Sequence, residues 1–189
     1  MPNLGLIAED ETDADALRVI AQRIVPRLAT KKRVGNGCSK ILVKTAKWLP
    51  ELRRDGCTHF ALVHDLDRDK DLNQLRSESA LRASLQSKIP DGFDPLICIP
   101  VEELEAWFWA DAALLTDLAR KPTPARVPHA VASPKEALEK LSRDGGKKPR
   151  YSTNDNAKLA AKLDLTLARK ACPSLEAFCA FVEQLEAPA

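Results

Sequence analysis

Thr58-His59-Phe60-Ala61-Leu62-Val63-His64-Asp65-Leu66-Asp67-Arg68-Asp69 is an apolar run that drives into three acids at alternate positions. About six residues rich in Phe, Leu and Val, with Gly56 before them and charge after them, read as a buried strand. Asp65, Asp67 and Asp69 crowd together at its exit. Like charges packed this closely ionise at a cost unless something positive sits among them. Carboxylate oxygens are natural ligands of Mg²⁺, which takes one or two of them plus water and substrate phosphates. An acidic loop capping the next helix would look the same in isolation, so the flanking segments have to decide between the two.

Upstream, Leu4-Gly5-Leu6-Ile7-Ala8 is a shorter apolar run that ends in Glu9-Asp10-Glu11. Thr12 reads as an N-cap, and Leu17, Ile20, Ala21, Ile24 and Leu28 at helical spacing predict a helix over about 13–28. Asp13 and Asp15 fall in its first turn, where the helix dipole favours negative charge. Lys31 to Val34 gives a weak strand signal. Ser39 is placed to cap a second helix toward Arg54, with Pro50 expected to kink or shorten it. Downstream, a third helix is expected over 71–88, and Pro95-Leu96-Ile97-Cys98-Ile99 is another buried strand. It runs into Pro100-Val101-Glu102-Glu103-Leu104-Glu105, then a helix through Trp107 and Trp109 to Asp111, which caps the next helix. Strands alternating with helices argue for βαβ units and a parallel sheet. Three prolines between Lys121 and Pro128 mark a connector. Ser133-Pro134-Lys135-Glu136 carries a helix-start pattern, and a last helix is expected over 174–185. The expected organisation is an α/β domain over 1–119 and a helical extension over 120–189 packed on it.

Composition sets the outer bounds. The 189 residues suffice for a sizeable core, and 44% apolar with 30% charged residues is ordinary for a soluble globular chain. No apolar run approaches the ~20 residues of a membrane span, and Met1-Pro2-Asn3-Leu4 does not begin a secretory signal. Cys38, Cys57, Cys98, Cys172 and Cys179 are odd in number and contain no Cys-x-x-Cys, which suits idle thiols in a reducing cytoplasm. A net charge of +2 does not announce a nucleic-acid partner by itself.

In a parallel sheet the strand C-termini gather along one edge, where open α/β folds place their ligands. Glu9, the Asp65/Asp67 pair and Glu102 each follow a separate expected strand. Acids at helix N-termini explain any one of these clusters by about 0.3–1 kcal/mol of dipole stabilisation. That account serves Glu102, Glu103 and Glu105 as well as a metal does, whereas Glu9, Asp65 and Asp67 together favour a metal site.

At this point the residues resemble a family. A strand followed by Glu, and a later strand followed by Asp-x-Asp, look like the Toprim domain of topoisomerases, bacterial primases and overcoming-lysogenization-defect (OLD-type) nucleases. More closely, Ile7-Ala8-Glu9-Asp10-Glu11-Thr12-Asp13, Val63-His64-Asp65-Leu66-Asp67 and Ile99-Pro100-Val101-Glu102-Glu103-Leu104-Glu105-Ala106-Trp107 resemble the Toprim-related domain-of-unknown-function family 4276. The resemblance covers most of the chain. It departs from the common Toprim pattern at Asp10, where glycine is usual, and in lacking a glycine soon after the aspartate pair.

The resemblance implies a Toprim-like Rossmannoid parallel sheet flanked by helices, with a C-terminal helical extension. It implies Mg²⁺- or Mn²⁺-dependent phosphodiester hydrolysis, with Glu9 in acid–base chemistry and Asp65 and Asp67 holding metal. Glu102 and Glu105, one helical turn apart, would add ligands to a second metal. It also implies nucleic acid, DNA or RNA, as substrate, and a partner ATPase, in some relatives for defence against phage. A homo-oligomeric state is left open. Two-carboxylate metal sites suit phosphoryl transfer on chemical grounds too, and a Glu raised by acidic neighbours exchanges protons near neutral pH.

Lys40, Lys44 and Lys47 on the second expected helix, and Lys147 and Lys148 in a later Gly- and Lys-rich loop, are candidate phosphate-backbone contacts; a solvated helix face is the plainer account. Trp48, Trp107 and Trp109 read as core. His59, His64 and His129 lack metal-ligand spacing, though His64 adjoins Asp65. No Gly-rich phosphate loop occurs, which argues against ATP hydrolysis. Two rivals fit part of the pattern. A phosphoacceptor receiver domain would use Glu9-Asp10 and Asp65, but leaves Asp67 and the Glu102 cluster unexplained. A non-catalytic Toprim-like interaction subunit would keep the acids as structure.

Overall fold

The computed structural model describes residues 3–69, 74–143, 145 and 148–185. The chain begins with β1 (Asn3–Ala8), α1 (Glu11–Ile24), β2 (Ala29–Val34), α2 (Cys38–Arg54) and β3 (His59–Val63). Two antiparallel strands of two residues each follow, β4 (Arg68–Asp69) with β5 (Gln74–Leu75), forming a hairpin, and then α3 (Glu78–Gln86) and β6 (Leu96–Cys98). The main sheet has the order β2-β1-β3-β6, and every pairing in it is parallel. A bridge between Leu66 and Val101 continues the β3–β6 pairing past the named strands.

Successive strand residues point to opposite faces, and the core divides accordingly. Leu4 and Leu6 of β1, with Ala61 and Val63 of β3, pack on Ala14, Leu17 and Ile20 of α1. Ile7, Phe60 and Leu62 pack on the other face against Ile41, Leu49 and Leu52 of α2 and Leu85 of α3. Gly5 lets α2 sit close, because a Cβ there would stand 3.0 Å from the Phe60 ring and 3.1 Å from Leu52 Cδ1. The edge strand β2 reads Ala-Thr-Lys-Lys-Arg-Val and gives a poor strand pattern because its charges hold the flanking helices. Lys32 pairs with Glu11 and Asp15 of α1, and Arg33 with Glu51 of α2 and Asp55 just beyond it.

Beyond β6 the regular elements among the described residues are helices, chiefly a 3-10 helix over Leu104–Ala110, α4 (Ala112–Ala119), α5 (Pro134–Leu141), α6 (Asn156–Lys162), α7 (Leu165–Ala171) and α8 (Pro173–Gln184). α6 and α8 lie on α1, and α8 also covers β6. Leu163, Leu175, Phe178 and Val182 therefore join the same buried cluster as Leu17 and Trp107. Arg23 Nη1 donates to the Ala160 carbonyl at 2.6 Å, and Trp107 Nε1 to Ser174 Oγ at 3.0 Å. Among the described residues no helix is long and apolar enough to cross a membrane. Cys57, Cys98, Cys172 and Cys179 are free and buried, and burial pushes the Cys172 and Cys179 thiols up to about 12.

Several local expectations are corrected. Asp10, not Thr12, caps α1: its Oδ1 accepts from Thr12 N at 2.7 Å and Asp13 N at 3.0 Å. The helix stops at Ile24 because Val25 precedes Pro26, and a residue before proline avoids helical backbone. α2 runs four residues past Pro50, anchored by buried Leu49 and Leu52 on either side. The hairpin replaces the first part of the expected third helix, and α3 starts at a Ser77 cap; Asp71, Leu72 and Asn73 lie outside the described residues. The Trp107–Trp109 segment winds as a 3-10 rather than an α-helix, while Asp111 does cap α4, accepting from Ala113 N at 2.9 Å. Ser133 makes no side-chain cap on α5; the Glu103 carboxylate takes the Lys135 N–H instead, at 3.0 Å.

Candidate active site

From β1 the chain crosses to β2 on one side, while β3 pairs on the other. Connections that leave in opposite directions open a crevice at the C-terminal ends of β1 and β3, the topological switch point. Glu9 directly follows β1. The parallel register sets Ile7 opposite Leu62, and two residues further on the strand exits meet. Asp65 N donates to Glu9 Oε1 at 3.0 Å. His64 Nδ1 stands 3.1 Å from the same oxygen and 2.8 Å from the Asp65 carbonyl oxygen.

The segment after β6 brings in the third acidic group. Glu105, 4% exposed, accepts from Asn156 Nδ2 at 2.9 Å and shares the proton of the Tyr151 hydroxyl, 3.3 Å away, with Asn156 Oδ1, 2.7 Å from that hydroxyl. Glu103 is turned toward α5 by its bond to the Lys135 N–H. Glu102 is buried, sits in left-handed backbone (φ 66°) and pairs with Arg68 of β4. A non-glycine residue held there stores strain, a feature that clusters at functional sites.

A fourth acid completes the group. Asp13, 7% exposed on the first turn of α1, faces the strand ends. Burial pushes its carboxyl up to about 8, helped by the charges of Asp10, Glu105 and Glu9. Burial likewise raises Asp65 well above the carboxylate range, with Asp13, Glu9, Glu105 and Glu103 adding to it. Glu105 is raised by burial against the opposing bonds from Asn156 and Tyr151, and burial lifts Glu103 to about 7. Asp13, Glu9, Glu105 and Glu103 all raise Asp65, and Glu105 and Glu9 also raise Asp13, so the five acids share one electrostatic neighbourhood centred on Asp65.

The fold thus brings together Glu9, Asp65 and Glu105 of the residues expected from the sequence. Asp67 is half-buried one residue past the Leu66 bridge, at the base of the hairpin, where its carbonyl accepts from Arg76 N at 3.3 Å. Asp13, expected only as a helix-dipole acid, joins the site, as do Tyr151 and Asn156, which no sequence pattern marks; the four-residue interval between Glu9 and Asp13 is the available hint for the first. Lys40, Lys44 and Lys47 are exposed on α2, with Lys44 Nζ 5.3 Å from the Trp48 ring centroid and Lys47 Nζ 3.7 Å from Glu51. The turn leading into α2 touches the site, since Gly37 N donates to the Glu9 carbonyl at 3.4 Å. Lys40 is therefore nearest, and Lys47 lies about 10 Å further along the helix. Lys148 is exposed; Lys147 and the side chain of Asp69 lie outside the described residues.

Among the described residues no three His, Cys, Asp or Glu side chains form a ready-made metal cage. The donor set nonetheless suits a hard divalent cation. Mg²⁺ keeps several waters and needs only one or two protein carboxylates beside substrate phosphates, and clustered acids with raised pKa values gain from a nearby positive charge.

Fold and site together define an α/β protein with acids gathered at the strand ends of a parallel sheet. The chain belongs to the family described as "Domain of unknown function (DUF4276)", whose model matches residues 8–183. Among solved structures it is similar to the C-terminal region of the Burkholderia pseudomallei OLD protein, with a TM-score of 0.55 and 13% identity, covering 99% of this chain and 100% of that one. At that identity the likeness is one of fold. No curated protein matches the sequence.

Proposed function

We propose that the chain is a Mg²⁺- or Mn²⁺-dependent phosphodiesterase, a nuclease of the Toprim kind. The observation that carries this reading is the gathering of acids at the switch point, where Asp65 N bonds Glu9 Oε1 at 3.0 Å and buried Asp13 and Glu105 lie close enough to raise the Asp65 carboxyl. Asp65, with Asp67 beside it and Asp13 across the crevice, would hold the cation; Glu105 and Glu102 are candidates for a second. A bound cation would stabilise charge on the attacking and leaving oxygens of phosphoryl transfer. Glu9 would exchange the proton of the attacking water or the leaving oxygen. Tyr151 and Asn156 hold the Glu105 carboxylate in place, and Lys40, with Lys44 and Lys47 further along α2, would take phosphates of a DNA or RNA strand, as would Lys147 and Lys148. The fold shared with an OLD protein region supports a partner ATPase and a role in defence, and the free buried thiols suit a cytoplasmic setting.

A non-catalytic interaction subunit is the second reading, favoured by the Glu102–Arg68 pair, which engages one expected ligand within the protein. Calorimetric titration of Mn²⁺ and Mg²⁺ into the wild type, Glu9→Gln and Asp65→Ala/Asp67→Ala separates the two, with plasmid nicking and tRNA cleavage assayed in parallel. The nuclease reading expects cation binding lost in the aspartate double variant and cleavage lost in both. Removing the acid–base group should cost about 10²–10⁴-fold in rate. Neither binding nor cleavage in the wild type would overturn it.

A further inference from the structure

His64 is 3% exposed, at the junction of the sheet and the acidic cluster. Its Nδ1 lies 2.8 Å from the Asp65 carbonyl oxygen and 3.1 Å from Glu9 Oε1. A carbonyl oxygen only accepts, so Nδ1 is the ring nitrogen that carries the proton. The reverse tautomer would aim a lone pair at two oxygens. It would also bury an N–H at Nε2, where no partner is present among the described residues, and an unpaired buried donor is costly. Both nitrogens select the same tautomer.

The Asp65 N–H reaches the same Glu9 oxygen at 3.0 Å. Two donors from adjacent residues therefore converge on Oε1. Both are fixed to the sheet, since His64 N donates to the Cys98 carbonyl at 3.1 Å and Leu66 N to the Pro100 carbonyl at 2.8 Å. A carboxylate amid other carboxylates is pushed to rotate away from them, and these two bonds oppose that rotation.

We propose that His64 is a positioning residue for Glu9: its Nδ1–H, locked in one tautomer by the Asp65 carbonyl, holds Glu9 Oε1 facing the strand exits. The imidazole, 3% exposed and engaged with the Asp65 carbonyl oxygen and Glu9, acts through Glu9. The consequence for catalysis rests on the reading of Glu9 as the acid–base group.

Three substitutions test it. The amide nitrogen of Asn reaches where Nδ1 stands and that of Gln reaches where Nε2 stands, while Leu fills the space without a donor. In metal-loaded cleavage assays His64→Asn keeps most of the wild-type kcat. His64→Gln and His64→Leu lose about 10- to 100-fold in kcat, the cost of releasing an orienting partner, with KM and calorimetric Mn²⁺ affinity unchanged. ¹⁵N spectra of the labelled chain, assigned by the signal that His64→Asn removes, show Nδ1 protonated and Nε2 bare. A protonated Nε2, or equal loss in all three variants as expected of a space-filling residue, overturns the proposal. If the wild type cleaves nothing, the nuclease reading fails by itself. The tautomer and the ¹³C signal of the Glu9 carboxyl, displaced in His64→Gln and His64→Leu but not in His64→Asn, still decide the present inference.

Discussion

Asp13 shows how burial changes what one carboxyl does. On an exposed first turn it would be an ordinary helix-dipole acid; here burial and three acidic neighbours raise it from 3.8 to about 8. The sign of the pH dependence follows. Between about pH 4 and pH 8 the folded chain keeps a proton that the unfolded chain has released, so the metal-free protein loses stability as pH rises through that window. Asp13→Asn removes this titration. In chelator at pH 8 the variant should melt above the wild type, by about 2–4 °C for each kcal/mol relieved in a chain of this size, and the gap should close toward pH 4. Identical midpoints at both pH values would mean that Asp13 is not the proton-binding member of the cluster. Because a cation competes with that proton, Mn²⁺ affinity should rise over the same window in the wild type.

Among the elements, α5 draws its cap from a distant part of the chain. Ser133 and Pro134 mark its start in the sequence, yet Ser133 sits at φ 47° and makes no side-chain cap bond. The first-turn donor Lys135 N is satisfied by Glu103, 32 residues earlier. Glu103→Ala should therefore cost about 0.5–2 kcal/mol in denaturant unfolding, the worth of a helix cap, whereas Glu103→Gln keeps an acceptor oxygen and should lose much less. Equal losses would assign the effect to charge rather than to capping. The same contact couples α5 to the acidic segment, so α5 helps to set where Glu105 sits.

For the whole molecule, the C-terminal helices are part of the main core. Leu163, Leu175, Phe178 and Val182 bury the same sheet face as Leu17 and Trp107, and Tyr151 and Asn156 supply the Glu105 donors. A chain cut to residues 1–119 would expose that face and leave the Glu105 carboxylate without those two donors. It should lack fixed tertiary packing, read as lost near-ultraviolet dichroism from the tryptophans with helical signal partly retained. A cooperative melt of 1–119 with native dichroism would show instead that the division at 119/120 marks a separable unit.

How far the chain was legible follows from the range of the forces involved. Apolar runs at Leu4–Ala8, Phe60–Val63 and Leu96–Ile99, each leading into acids, were enough to read a parallel α/β sheet with Glu9, the Asp65/Asp67 pair and Glu102 at its C-terminal edge. Burial of β-forming segments on both faces leaves a continuous apolar stretch that depends little on the partner strand. β2 was poorly legible because its Lys and Arg side chains satisfy helices on either side rather than a core. Asp13, Tyr151, Asn156 and the Glu103 cap were not legible as site parts, since each acquires its role from a neighbour 32 to 92 residues away. By itself the sequence determined which strands form and which acids end them, because local hydrophobic pattern selects a strand and parallel pairing aligns its exit. Only the tertiary structure decided which of those acids share one electrostatic site and which, like Glu102 with Arg68, are paired elsewhere, because desolvation and charge coupling exist only once the helices close over the sheet.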